Sequence, residues 1–436
     1  MKIKLAALIL LSAASALYSC SSGAKSSAES LAETTSAETT AADTAEAVTT
    51  TSETTTKEKK VYDYVHGEDG YYNIADEISD FEMKTQEGGT CWLYAGVAGM
   101  GTSYAKKYGS YPSIEPLDLL DINYASENKE GFFTKEGSDP KETGGWQWIL
   151  TETLTNGFGE YVIDSSVIMD VTDREAIKDA VNNRGGVVAA VNDTDKKYKG
   201  WYGKYYTLNY SEEEFDHDVT IIGYDDHFPK EYFNEPASED GAWITYNSSL
   251  GSSGFFYVSY SAPLEHVISH SVTDKYGEVL SHDAGNEQDM YIKTGEWTNT
   301  ANVFHKAGKL AAVGTYNDFD KQSIKIQIYS ADFKNILYTQ DAVLDYHGYH
   351  TIDLDTPVDV SDFAVVISYE KGAPVEGEDI DYGPAEYKTV SESGQSFVYI
   401  DDCVTGWKDL TDADIKKSLD IDFEPGNCCI KALLAK

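Results

Sequence analysis

The sequence predicts an α+β domain over about 61–280 followed by an all-β sandwich over about 281–436, both carried behind an export signal and a tether. Three observations predict this. A glycine-rich turn runs into a small-residue apolar helix at residue 91, and β-branched apolar runs alternate with a helix to about residue 260. From Ser281 onward only short alternating runs between turn residues remain, which is the pattern of a sandwich. The 436 residues leave room for two or three domains, and 41% hydrophobic with 12% aromatic residues can fill large cores.

The amino terminus reads as an address and an anchor. Lys2 and Lys4 precede the apolar run Leu5–Ala16, which is too short to span a bilayer permanently. Leu17-Tyr18-Ser19-Cys20 resembles a bacterial lipobox, which implies that residues 1–19 are a lipoprotein signal peptide and that Cys20 carries the lipid. Residues 20–60 are a Ser/Thr/Ala/Glu-rich disordered tether without aromatic residues. The formal net charge of −40 excludes nucleic acid as a partner, because phosphate binding needs a cationic surface. It also repels anionic headgroups, so the membrane is reached through the lipid anchor only, with the folded part extracytoplasmic.

Gln86-Glu87-Gly88-Gly89-Thr90-Cys91-Trp92 places Cys91 at the start of a helix running to about Lys107. Backbone N–H groups and the positive end of the helix dipole favour a thiolate there. His217 begins the strand-like run ending near Tyr224, and a second such run, Gly241 to Tyr246, ends at Asn247. Ala176–Val181 reads as a helix, Val187–Val191 as a strand, and Gly254–Tyr260 as another strand.

These segments, in this order, resemble the papain-like cysteine peptidases. His217 and Asn247 lie 126 and 156 positions after Cys91, close to the roughly 130–150 that separate such residues in papain and the cathepsins. Thr143-Gly144-Gly145-Trp146 is similar to the paired glycines of the family's substrate cleft, and Gln86 sits where the family keeps an oxyanion glutamine. The resemblance implies peptide-bond hydrolysis of protein or peptide substrates without a cofactor or metal. Cys91 is then the nucleophile, His217 the general acid, and Asn247 the group that orients the imidazole. Gln86 with the Cys91 N–H stabilises the oxyanion, and Gly144 and Gly145 let substrate backbone approach closely.

Departures from the family pattern carry expectations of their own. Gly88 stands where the family commonly has a disulfide cysteine, and Gln86 is one residue nearer the nucleophile than usual. Asp216 precedes the histidine in place of asparagine: it either raises the His217 pKa, binds a basic substrate residue, or is a solvated loop residue. Leu250 is the candidate substitute for the tryptophan that shields the His–Asn bond. Residues 21–80 offer no room for a full inhibitory prodomain, so activity is expected to be limited by location or substrate access.

In the second domain Lys325–Tyr329, Phe363–Tyr369, Ser396–Ile400 and Cys429–Leu434 read as strands. The architecture resembles the lectin-like, jelly-roll type domains appended to some bacterial papain-like enzymes, which makes a surface glycan a candidate partner. Pairing of Cys403 with Cys428 or Cys429 is open, and His347 and His350 flank a turn-like stretch rather than a metal site. Two other functions use the same residues: an adhesion or glycan-binding protein with an inactive scaffold, and a transpeptidase in which an amine resolves the acyl-enzyme.

Overall fold

A computed structural model describes residues 63–124, 130–235, 237–250, 255–285, 290–377, 380–381, 385–401 and 406–436. The expected signal peptide, Cys20, the tether and Cys403 lie outside the described residues. Among the described residues no helix is long and apolar enough to cross a membrane.

The first half is built around the helix Cys91–Tyr108, closed by Gly109 in the left-handed region at φ 83°. Fourteen of its residues are buried, so small side chains are what its neighbours permit. At Gly96 a Cβ would lie 2.0 Å from Leu150 Cδ2, on the facing helix Gln147–Leu154. The helix packs on an antiparallel sheet in which Val187–Val191 pairs with His217–Asp225. That strand pairs in turn with Ala242–Tyr246, and this one with Phe256–Ser259. Every residue of Val187–Val191 is buried because both faces are covered. A further helix, Arg174–Asn183, starts where the Asp173 carboxylate accepts from Ala176 N at 3.0 Å. It buries Ile177 and Val181 completely, each contributing about 1.5–3 kcal/mol.

The second half is all-β. The long strands Thr298–Asn317 and His347–Tyr369 pair antiparallel along their length, with breaks in register after His305 and Leu310. Gln322–Ser330 pairs with Ile336–Leu344 on one side and with the far end of His347–Tyr369 on the other. Ile324, Ile326, Ile328, Phe363, Val365 and Ile367 alternate inward to form the core, the period-2 signature of half-buried strands.

The two halves share strands rather than meeting at a linker. Tyr276–Leu280 pairs with the closing strand Ile430–Ala435, and Gly131–Thr134 pairs with Ala385–Lys388. His347–His350 pairs with Val162–Ile168, which corrects the turn-like, exposed reading of Gly348-Tyr349. Gly348 has φ +109°, and a Cβ there would lie 1.9 Å from Ser166 O, so the glycine is a docking contact. Tyr349 is fully buried. His350 Nε2 is 2.8 Å from Tyr346 O, within its own chain segment.

Charges are buried at this junction. Lys431 Nζ pairs with Asp283 Oδ2, both side chains fully buried, and Ser281 Oγ lies 3.1 Å from the ammonium. Beside them Glu376 accepts from Ala284 N and Asn427 Nδ2, each at 2.9 Å, and burial with the Asp283 charge pushes its carboxyl up to about 8. Cys428 Sγ donates to Phe397 O at 3.5 Å and Cys429 Sγ to Gly285 O at 3.4 Å. Burial pushes both thiols well above their ordinary values, which keeps them unreactive. Lys431→Met is expected to cost about 3–5 kcal/mol in urea unfolding because it strands a buried carboxylate, and adding Asp283→Asn should recover most of that loss. Equal losses in the single and double variants would show that the ion pair is not what the junction needs.

Candidate active site

Cys91 is placed by the turn before it. Gly88 adopts φ +65°, Gly89 N donates to Lys141 O at 2.7 Å, and Thr90 Oγ1 donates to Glu87 O at 2.7 Å. The sulfur therefore opens the helix at its electropositive end, 2% exposed. His217 is the first residue of its strand, paired across the ladder with Val191 and 8% exposed. Asn247 follows the neighbouring strand directly, so the sheet register delivers it beside His217. His217 Nε2 and Asn247 Oδ1 are 2.8 Å apart. Ser249 N and Oγ donate to the same oxygen at 2.9 and 2.7 Å.

The imidazole also hydrogen-bonds Cys91. Since Nε2 is taken by Asn247, Nδ1 is the nitrogen left for the sulfur. Burial by itself would push the His217 pKa down. The Cys91 thiolate, its hydrogen bond, the Asp193 carboxylate and Asn247 outweigh it and raise the value to about 10. His217 is thus held between Cys91 and Asn247 in surroundings that favour the protonated ring.

Gln86 is tied into the same site. Its Nε2 donates to Gly88 O at 2.9 Å, its Oε1 accepts from Ser248 Oγ at 2.8 Å, and its backbone N donates to Ser248 O at 3.0 Å. It thus spans the turn before Cys91 and the residue after Asn247. Gly144 has φ +81° and its carbonyl accepts from Tyr124 OH. At Gly145 a Cβ would fall 2.4 Å from the Trp92 ring, so the paired glycines lie against the residue that follows Cys91.

Asp216, directly before the histidine, holds a backbone turn. Its oxygens accept from Asp193 N at 2.8 Å, Thr194 N at 3.2 Å and Thr194 Oγ1, so it shapes the 193–194 turn. The carboxylate that raises His217 is Asp193, which the sequence reading missed. Asp193 lies two residues beyond Val191, the cross-strand partner of His217, a relation that only the strand register reveals. Leu250 is half-buried and donates its N–H to Asn247 O at 3.1 Å, while Ser249 is what touches the Asn247 side chain. A second unread feature is a buried polar chain. Gln147 Nε2 donates to Trp92 O and to Asp218 Oδ2, both at 2.8 Å, and Gln147 Oε1 is 3.0 Å from His270 Nε2. Burial lowers His270 to about 3, so that ring is neutral.

Residues 281–433 match the family model of the lectin-like domain. The clostridial cysteine protease Cwp84 after propeptide cleavage superimposes with a TM-score of 0.67 at 16% identity, covering 84% of this chain and 99% of that one. The fold is papain-like, with a lectin-like domain appended. A second structure, the cysteine protease and lectin-like domains of Cwp84, a surface layer associated protein of Clostridium difficile, gives a TM-score of 0.65 at 17% identity. It covers 84% of this chain and 88% of that chain. A search of curated protein sequences gives no match. On this papain-like scaffold the position of the family's usual disulfide cysteine is Gly88, whose Cβ would lie 2.6 Å from Lys141 O.

A histidine with a raised pKa contributes stability that is complete below its unfolded value of about 6.5 and is lost as the pH rises through about 10. Cys91→Ala removes the two largest contributions that oppose burial. His217 in that variant is expected to titrate below 6.5, read from its ring protons by NMR. An unchanged titration would show that Cys91 is not what charges the ring.

Proposed function

We propose that the chain is a lipid-anchored, extracytoplasmic cysteine peptidase that hydrolyses peptide bonds in protein or peptide substrates. The observation that carries this reading is the buried His217 imidazole held between Cys91 and Asn247, in surroundings that raise its pKa. Residues 61–280 form the peptidase domain in this reading, and residues 281–436 form a lectin-like domain whose candidate ligand is a surface glycan. Cys20 supplies the lipid attachment.

The reaction follows from the geometry. The Cys91 thiolate attacks the scissile carbonyl carbon, and its electron pair forms the C–S bond. The carbonyl oxygen takes up the charge facing the Cys91 N–H and the second amide hydrogen of Gln86 Nε2. Collapse breaks the C–N bond as His217 Nδ1 gives its proton to the leaving amine. Neutral His217 then takes a proton from water, which hydrolyses the thioester and restores the thiolate–imidazolium pair. Asn247 Oδ1 holds Nε2–H throughout, which keeps Nδ1 aimed at the reacting atoms. Gly144 and Gly145 offer bare backbone on which an extended peptide adds as a strand.

The protein under reducing conditions is expected to cleave an unfolded protein, to be labelled at Cys91 by an epoxysuccinyl inhibitor, and to lose both properties in Cys91→Ala. Gln86→Ala should lower kcat on the order of 10²–10³ with the labelling retained. Absent cleavage together with an unlabelled Cys91 in the folded protein would refute the peptidase reading. For the anchor, Cys20→Ser is expected to move the protein from the membrane fraction into the soluble fraction, and an unchanged distribution would remove lipidation from the account.

A further inference from the structure

The mechanism above leaves Asp193 without a task, yet the fold builds a turn to hold it. Its backbone N–H and that of Thr194 both donate to the Asp216 carboxylate. The side chain is nearly buried, the residue being 8% exposed, and it stands behind Asn247 as seen from His217. Asn247 Nδ2 donates to Asp193 Oδ2 at 3.4 Å. Lys199 Nζ lies 2.9 Å from Asp193 Oδ1 as an ion pair that lacks hydrogen-bond geometry. A carboxylate in such a place is costly unless it is paired or used.

We propose that Asp193 is a positioning residue of this site: it orients the Asn247 amide towards His217 and places a negative charge, moderated by Lys199, behind the imidazole. The proposal rests on the cysteine-peptidase reading of the same site. A carboxylate can only accept hydrogen bonds, so it admits the NH2 end of Asn247 and repels the oxygen. With Nδ2 drawn to Asp193, Oδ1 must face Nε2, and Nε2 must carry a hydrogen. Nδ1 is then the nitrogen that shares a proton with Cys91. The two Ser249 donors on Oδ1 demand the same orientation.

The charge acts in the same sense. Contacts run from Asp193 through Asn247 and His217 to Cys91, so the carboxylate stabilises the imidazolium more than it opposes the thiolate. Other ionisable groups around the pair are Lys199 on the following hairpin, Tyr206 on its second strand, Tyr210 and Asp216 in the loop before His217, and Asp218 after it. Lys199 is the cation in direct contact with Asp193, so removing it should act opposite to removing Asp193.

The test compares full-length wild type with Asp193→Asn, Asp193→Glu and Lys199→Met. Two readouts serve: the His217 ring-proton NMR titration, and the pH dependence of kcat/KM on a fluorogenic peptide. Asp193→Asn is expected to move the His217 titration and the alkaline limb of kcat/KM down by about one pH unit. Lys199→Met should move both upward, and Asp193→Glu should restore the wild-type values. Unmoved titrations, or shifts of the same direction in Asp193→Asn and Lys199→Met, would overturn the proposal, since a merely structural aspartate lowers rates without opposite shifts. If wild type cleaves nothing, the peptidase reading falls, while the NMR titration still decides the role of Asp193.

Discussion

A buried histidine organises the first half of this molecule. An imidazolium that is 8% exposed is unfavourable unless opposite charge and hydrogen-bond acceptors are placed around it within a few ångströms. Three elements of the papain-like half supply them. The helix Cys91–Tyr108 brings the sulfur at its amino-terminal end, the strand Ala242–Tyr246 delivers Asn247, and the turn after Val187–Val191 carries Asp193. His217 itself starts the strand that lies between the other two. The small residues of the helix, the fully buried Val187–Val191 strand and the Gly145–Trp92 contact all set the spacing on which that balance depends.

The second half is fastened to the first by backbone pairing. Three ladders cross between the halves, and the fully buried Lys431–Asp283 pair sits beside them with Glu376 and Asn427. Buried ion pairs of this kind add little net stability over apolar packing, but they penalise any misplacement of either partner. Such a junction holds the lectin-like half in one position relative to the cleft. Strand pairing therefore joins the two halves directly, not as beads on a linker.

Much of the site could be read along the chain. Cys91, His217 and Asn247 each sit at a boundary between a turn and a regular element, where the local pattern is strong, and their order and spacing resemble a known family. Gln86, Gly144 and Gly145 stood out by the same route. Asp193 did not, because its relation to His217 exists only through the Val191–His217 register and a turn held by Asp216. Proximity had suggested Asp216 instead, since chain neighbours are easy to see and spatial neighbours are not. Gln147, His270 and Ser166 form a buried polar chain for which single residues in apolar runs give no sign.

What the sequence determined by itself is local: where helices and strands begin, which faces are apolar, which residue types stand at the boundaries, and the alternation that marks the second half as β. What tertiary structure decided is which of these meet. Gly348-Tyr349 looked like a turn because its strand partner lies about 180 residues earlier, in the other half. Asp193 reaches the Asn247 amide because the Asp216 carboxylate holds the turn that carries it. Periodicity and propensity act over a few residues, whereas burial of a charge and pairing of distant strands depend on contacts that exist only once the chain has closed on itself.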